Sequence, residues 1–106
     1  MTLDTSRGAV HVSVAEQHTG VVIRVAGALD RAGQDLVRGV LNHVTERPVD
    51  MVWLDVRAVP SFDAAMLSLV TYGRRILSDA GIKMYVVAPP HVDAKLGDVR
   101  EQIAAR

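Results

Sequence analysis

The sequence contains no cysteine, which removes disulfides, zinc–thiolate sites and thiol nucleophiles together. Aromatic residues make up only 4% of its 106 positions, so the core must be built from Val, Leu, Ile, Ala and Met. Net charge is also missing. Twelve Lys and Arg balance twelve Asp and Glu, and ten of the twelve basic residues are arginine. That balance argues against a general nucleic-acid binder, which needs a basic stripe to neutralise phosphates, and against a polybasic membrane anchor. No stretch approaches the roughly eighteen uninterrupted apolar residues of a membrane span. The opening "MTLDTSRGAV" has no apolar signal-peptide core. The sequence therefore predicts a cytoplasmic protein with no nucleic-acid partner and no direct membrane insertion.

Catalytic and cofactor signatures are absent too. His11, His18, His43 and His91 are scattered without metal-ligand spacing, so neither a metal nor a cofactor is expected. Neither glycine-rich phosphate cradle occurs, and no G-x-S-x-G elbow presents a serine nucleophile. Asp55, near the end of an apolar strand, could be the phospho-acceptor of a receiver domain. That chemistry also needs an acidic pair after the first strand and a lysine after a late one. Here "QHTG" and Pro89–Pro90 stand in those places. The expected role of Asp55 is to hydrogen-bond the backbone of the loop after its strand. The chain reads as a non-enzyme.

What is present is a globular composition, 49% hydrophobic and 23% charged, of one-domain length. Residues 1–8 are polar and read as a flexible lead-in, leaving residues 9–106 as a single domain. "AVHVSVAE" alternates with period two, "QHTG" supplies a turn, and "VVIRVAG" follows as a second strand, which predicts an antiparallel hairpin. Asp30 caps a helix whose Leu36, Val37, Val40, Leu41 and Val44 form one stripe, with Gln34, Asp35, Arg38 and Asn42 largely off it. That helix should end near Glu46, ahead of Pro48. "MVWLDV" reads as a central strand buried on both faces. A second helix opens at Asp63 and runs to about Ala80, with Gly81 ending it. "IKMYVVA" is the last strand, and residues 91–106 are helical by composition, interrupted by Gly97 and frayed at the end. The order β-β-α-β-α-β-α predicts an α/β fold: a small mixed sheet with helices mainly on one face.

Two motifs then form a recognisable pair. "RVAGALD", residues 24–30, resembles the strand–G-E-L-D–helix segment of STAS domains, the sulfate-transporter and anti-sigma-antagonist fold. "VWLDVRAVPSFDAAML", residues 52–67, resembles that family's strand followed by hydrophobic-x-D-S-S-G-L. "DAGIKMYVVAPP" is similar to the helix end, glycine and strand that come next. The two motifs lie about thirty residues apart, and the similarity runs from residue 10 to about residue 99. The chain ends near the last segment the family shares, which leaves open whether it has the final strand and helix of longer members.

The resemblance implies a role. Short stand-alone members are mostly anti-sigma factor antagonists, which bind a kinase-type anti-sigma factor and so release a sigma factor for transcription. The kinase inactivates its antagonist by phosphorylating the second serine of D-S-S-G. Carried over residue by residue, Asp63 matches the aspartate, Ala64 and Ala65 replace the serines, Met66 replaces the glycine and Leu67 matches the leucine. Ala65 thus stands where the phosphorylated hydroxyl should be, and Ala28 replaces the glutamate of G-E-L-D. The nearby hydroxyls of Ser61 and Ser68 are the alternative phosphosites; the plain reading is a turn bond for Ser61 and an ordinary helix position for Ser68.

The resemblance therefore predicts a bacterial antagonist that binds its partner through Ser61, Phe62, Asp63, Ala64, Ala65, Met66 and Leu67, flanked by Gly27, Asp30 and Arg31, without the usual phospho-switch. Met66 fits equally a partner-facing thioether or a core filler. Two other readings stay open: a STAS subunit of an ABC-type lipid or solute transport complex, and a small-ligand or nucleotide sensor. The hairpin's exposed edge leaves a homodimer open as well.

Overall fold

A computed structural model describes residues 2–18, 20–60 and 62–89. Along the chain run strands β1 (Thr2–Arg7), β2 (Val10–Glu16) and β3 (Val21–Ala26), helix α1 (Arg31–Val44), strand β4 (Met51–Ala58), helix α2 (Ala64–Asp79) and strand β5 (Lys83–Val87). They form one mixed sheet in the order β1-β2-β3-β4-β5. The first three strands pair antiparallel; β3, β4 and β5 pair parallel, with the two helices as crossovers. This is the expected α/β fold with one strand more. The final helix expected over residues 91–106 lies outside the described residues.

The extra strand corrects the reading of residues 1–8 as a flexible lead-in. Thr2–Arg7 pairs along its whole length with β2, from Thr2 opposite Ala15 to Arg7 opposite Val10. Its polarity suits an edge strand with little to bury, and Leu3 remains exposed. Pairing with β2 satisfies its backbone, a long-range gain that polarity alone does not reveal. Among the described residues the free edges of the sheet therefore belong to β1 and β5, and not to the β2–β3 hairpin.

Val10, Val12 and Val14 on β2, Val21, Ile23 and Val25 on β3, and Val52, Leu54 and Val56 on β4 are all buried. Cross-strand pairing turns them to one face, where Val37, Leu41 and Val44 of α1 and Leu69, Val70 and Leu77 of α2 meet them. Gly33 of α1 lies so close to Val10 that a Cβ there would overlap its side chain, which sets the depth at which α1 crosses the sheet. As the low aromatic content requires, every fully buried side chain among the described residues is aliphatic or Met66.

β4 corrects a second expectation, that it would be buried on both faces. Val52, Leu54 and Val56 are buried toward the helices, whereas Met51 and Trp53 on the other face are only half-buried. Trp53 stacks there on Tyr85 of β5, with ring centroids 6.4 Å apart, and Tyr85 is exposed. Both described helices cover the same face, so a continuous apolar strand does not imply two buried sides.

Candidate functional site

Parallel strands launch their crossovers from the same end of a sheet, and that rule assembles the site. β3 and β4 are parallel neighbours, with Ala26 opposite Ala58, and the N–H of Gly27 donates to the carbonyl of Ala58 at 3.1 Å. The turn carrying Gly27, Asp30 and Arg31 and the loop carrying Phe62 and Asp63 therefore leave the sheet side by side. Each opens a helix, so α1 and α2 begin at the same end of the molecule. The two motifs read from the sequence are brought together.

Gly27 has φ +98°, and a Cβ at that position would run into the carbonyl of Ala9. Three residues on, the Asp30 carboxylate accepts from the N–H of Gly33 at 2.7 Å and from the N–H of Ala9 at 3.1 Å. It caps α1 and also ties the β1–β2 turn to the helix start. The Gly33 bond first, then the Ala9 bond, hold its carboxyl below the usual Asp range.

At the second helix, Asp63 has extended backbone angles and its Oδ1 accepts from the N–H of Met66 at 3.2 Å. A cap of this kind contributes about 1 kcal/mol. α2 closes as expected, with Ala80 at the C-cap and Gly81 beyond it at φ +77°. Ala64, Leu67 and Ser68 are exposed on the first turns, Ala65 is half-buried, and Leu67 shows 40% of its surface. Phe62 is half-buried against the core. Ser61 lies outside the described residues.

Met66 leaves the expected docking set. It is 1% exposed and belongs to the core cluster, so its thioether is a filler beneath the sheet and not a partner contact. Its position explains why: Met66, Leu69, Val70 and Leu77 share the buried stripe of α2, whereas Ala64, Leu67, Ser68 and Thr71 lie on the exposed one.

One group near the site was not read from the sequence. Arg38 and Asn42 of α1 meet Tyr72 and Arg75 of α2: Asn42 Nδ2 lies 2.6 Å from Tyr72 Oη, and the Arg38 and Arg75 guanidiniums both lie over the Tyr72 ring. The only sequence signal was that Arg38 and Asn42 fall off the apolar stripe one turn apart. The partners they find depend on how two helices pack.

Asp55, on the face away from the helices, is the only buried charged residue among those described. Its Oδ1 accepts from the backbone N–H of Arg57 at 3.1 Å, the backbone bond expected of it, though to its own strand instead of the following loop. The Arg57 side chain adds bonds of 3.0 and 2.8 Å, and Arg24 Nε approaches within 3.6 Å. The bond to Arg57 falls where β4 holds one residue more than β3 between paired positions, so the carboxylate satisfies backbone where the register shifts.

The Arg57 side chain foremost, with its backbone N–H and the charges of Arg57 and Arg24, draws the Asp55 carboxyl below its usual range against the opposing effect of burial. A depressed folded-state value stabilises the fold above the unfolded-state value of 3.8 and loses that contribution as pH falls through the folded-state value. Asp55→Asn should therefore cost about 1 kcal/mol, or about 4–8 °C in melting temperature, near neutral pH. Melting curves recorded from pH 7 down to pH 3 should show the gap to wild type closing at the acid end.

Among the described residues no helix is long and apolar enough to cross a membrane. A family model described as the STAS domain matches residues 12–98. No curated protein matches the chain. Solved structures do. An anti-sigma factor antagonist from Mycobacterium paratuberculosis superposes with TM-score 0.72 at 16% identity, over 90% of this chain and 81% of that one. The phosphorylated form of SpoIIAA, a Bacillus cell fate determinant, superposes with TM-score 0.67 at 18% identity, over 83% and 82%. A structure of Mglu matches with TM-score 0.64 at 23% identity, over 73% of this chain but only 19% of that one, so this chain spans about a fifth of its length. At these identities the likeness is one of fold.

Proposed function

The chain belongs to the STAS domain family, and from that premise we propose that it is an anti-sigma factor antagonist-like docking protein. It binds a kinase-type anti-sigma factor, controls sigma-factor-dependent transcription through that contact, and performs no catalysis of its own. The reading is supported by structural neighbours that span most of both chains and include a protein named as an anti-sigma factor antagonist. The observation that carries it is the start of α2. A fixed cap at Asp63 presents Ala64, Ala65 and Leu67, small or apolar and exposed or partly exposed, beside the turn of Gly27, Asp30 and Arg31.

The same residues set how the contact is regulated. A phosphate in the first turn of a helix would be tolerated by the free N–H groups and the helix dipole. It would also bring about −1.5 to −2 charges onto a surface that must shed water to dock. Ala65 has no hydroxyl to carry it, so docking is not switched at that position.

Intact-mass measurement after incubation with the anti-sigma kinase and ATP tests this directly. The mass should stay unchanged and the complex should persist. One added phosphoryl group at Ser61 or Ser68, with loss of the complex, would replace an unswitched binder by one switched at a displaced site.

A further inference from the structure

Along α2, Ala64, Leu67, Ser68, Thr71 and Arg75 recur every three or four residues and, with Arg38 of α1, edge a shallow groove of about 430 Å³. Its floor is Tyr72. The Arg38 guanidinium carbon lies 5.5 Å from the Tyr72 ring centroid and that of Arg75 lies 5.9 Å from it, so one ring holds two cations. Asn42 fixes the ring by its bond to the phenol oxygen at 2.6 Å.

No carboxylate lines the groove, although the chain as a whole is neutral. Within it Arg38 makes a long hydrogen bond, 3.5 Å to Ser68 Oγ, and its Nε is buried without a hydrogen-bond partner among the described residues. Two guanidinium forks oriented by stacking, that of Arg38 on a half-buried side chain and that of Arg75 on an exposed one, match the bidentate geometry of carboxylates. Between them the surface is apolar, with Leu67 40% exposed. From Ala64 to Arg75 the groove runs about 16 Å, the length of three helical turns.

We infer that this groove receives an acidic amphipathic helix of the partner, whose carboxylates engage Arg38 and Arg75 while an apolar side chain between them covers Leu67 and Tyr72. The charge pattern selects the partner's chemistry, and the two-helix groove selects its shape. The inference rests on the protein-docking reading above and adds a contact set on α1 and along α2 that the helix start alone does not supply.

Titration calorimetry against the kinase-type anti-sigma factor, at low and at physiological salt, tests it. Reversal of both charges, Arg38→Glu with Arg75→Glu, should weaken binding at least about a hundredfold, because like charges then face each other. Arg38→Gln with Arg75→Gln, which removes charge without reversing it, should cost about tenfold and flatten the salt dependence. The Gln pair keeps the test valid if the Glu pair disturbs folding by circular dichroism. Arg24→Glu, on the opposite face of the sheet, should bind as wild type does. Wild-type binding matched within about threefold by both double variants would overturn the acidic-helix contact while leaving the docking function standing. A groove taken by a second copy of this chain would overturn it too, and would show as a concentration-dependent dimer lost in the double variants with kinase binding intact. A wild-type chain that does not bind the kinase at all overturns the docking function and this contact with it.

Discussion

Met66→Ala should lower the free energy of unfolding by about 2 to 5 kcal/mol, measured by urea denaturation. The residue is 1% exposed and lies among Leu69, Val70 and Leu77 on the stripe that α2 turns to the sheet. Truncation forfeits the transfer energy of the missing atoms and leaves a cavity that surrounding aliphatic side chains fill only in part. A domain of this size has roughly 5 to 15 kcal/mol in all, so the change takes a large share of its stability. Leu67→Ala, one position further along the helix, should cost about 1 kcal/mol or less, because that residue is 40% exposed on the outer stripe and its truncation leaves no enclosed cavity. Equal effects at both positions would contradict the division of α2 into a buried and an exposed stripe.

Ala65→Glu should act in the opposite way, with little effect on the fold and a large one on binding. No acidic residue occupies the first turn of α2, so a carboxylate placed there gains from the helix dipole, by about 0.3 to 1 kcal/mol. The melting temperature should hold or rise slightly. Binding to the anti-sigma kinase should fall at least about tenfold, because the new charge must be desolvated at the centre of the contact and would face the acidic helix assigned to the neighbouring groove. Ala65→Ser should behave as wild type until kinase and ATP are added, and then acquire one phosphoryl group and release the partner. If both variants bind unchanged under all conditions, the helix start is not the interface.

Much of the architecture was legible because it is written in local signals. Asp30 and Asp63 mark the helix starts, because a side-chain oxygen in that position answers a free N–H three residues on. Val10, Val12 and Val14 mark a half-buried strand by their alternation. The extra strand escaped notice because Thr2–Arg7 has no apolar alternation of its own and is held by backbone pairing to β2. The open side of β4 escaped for a related reason. Composition registers that a strand is apolar, but not on which sides helices will lie.

The site divides in the same way. The missing hydroxyl at Ala65 is a matter of covalent structure, as are the absence of cysteine and the aliphatic make-up of the core, so the sequence alone decides them. Caps and periodicities also follow from neighbours a few residues apart. The direction of Met66, the edge pairing of β1 and the two arginines over Tyr72 are different in kind. Arg38 and Ser68, or Asn42 and Tyr72, stand thirty residues apart in the chain and meet only because α1 and α2 pack on one face of the sheet. Such contacts require loop closure and a shared core before they bring any energy, so only the tertiary structure decides them.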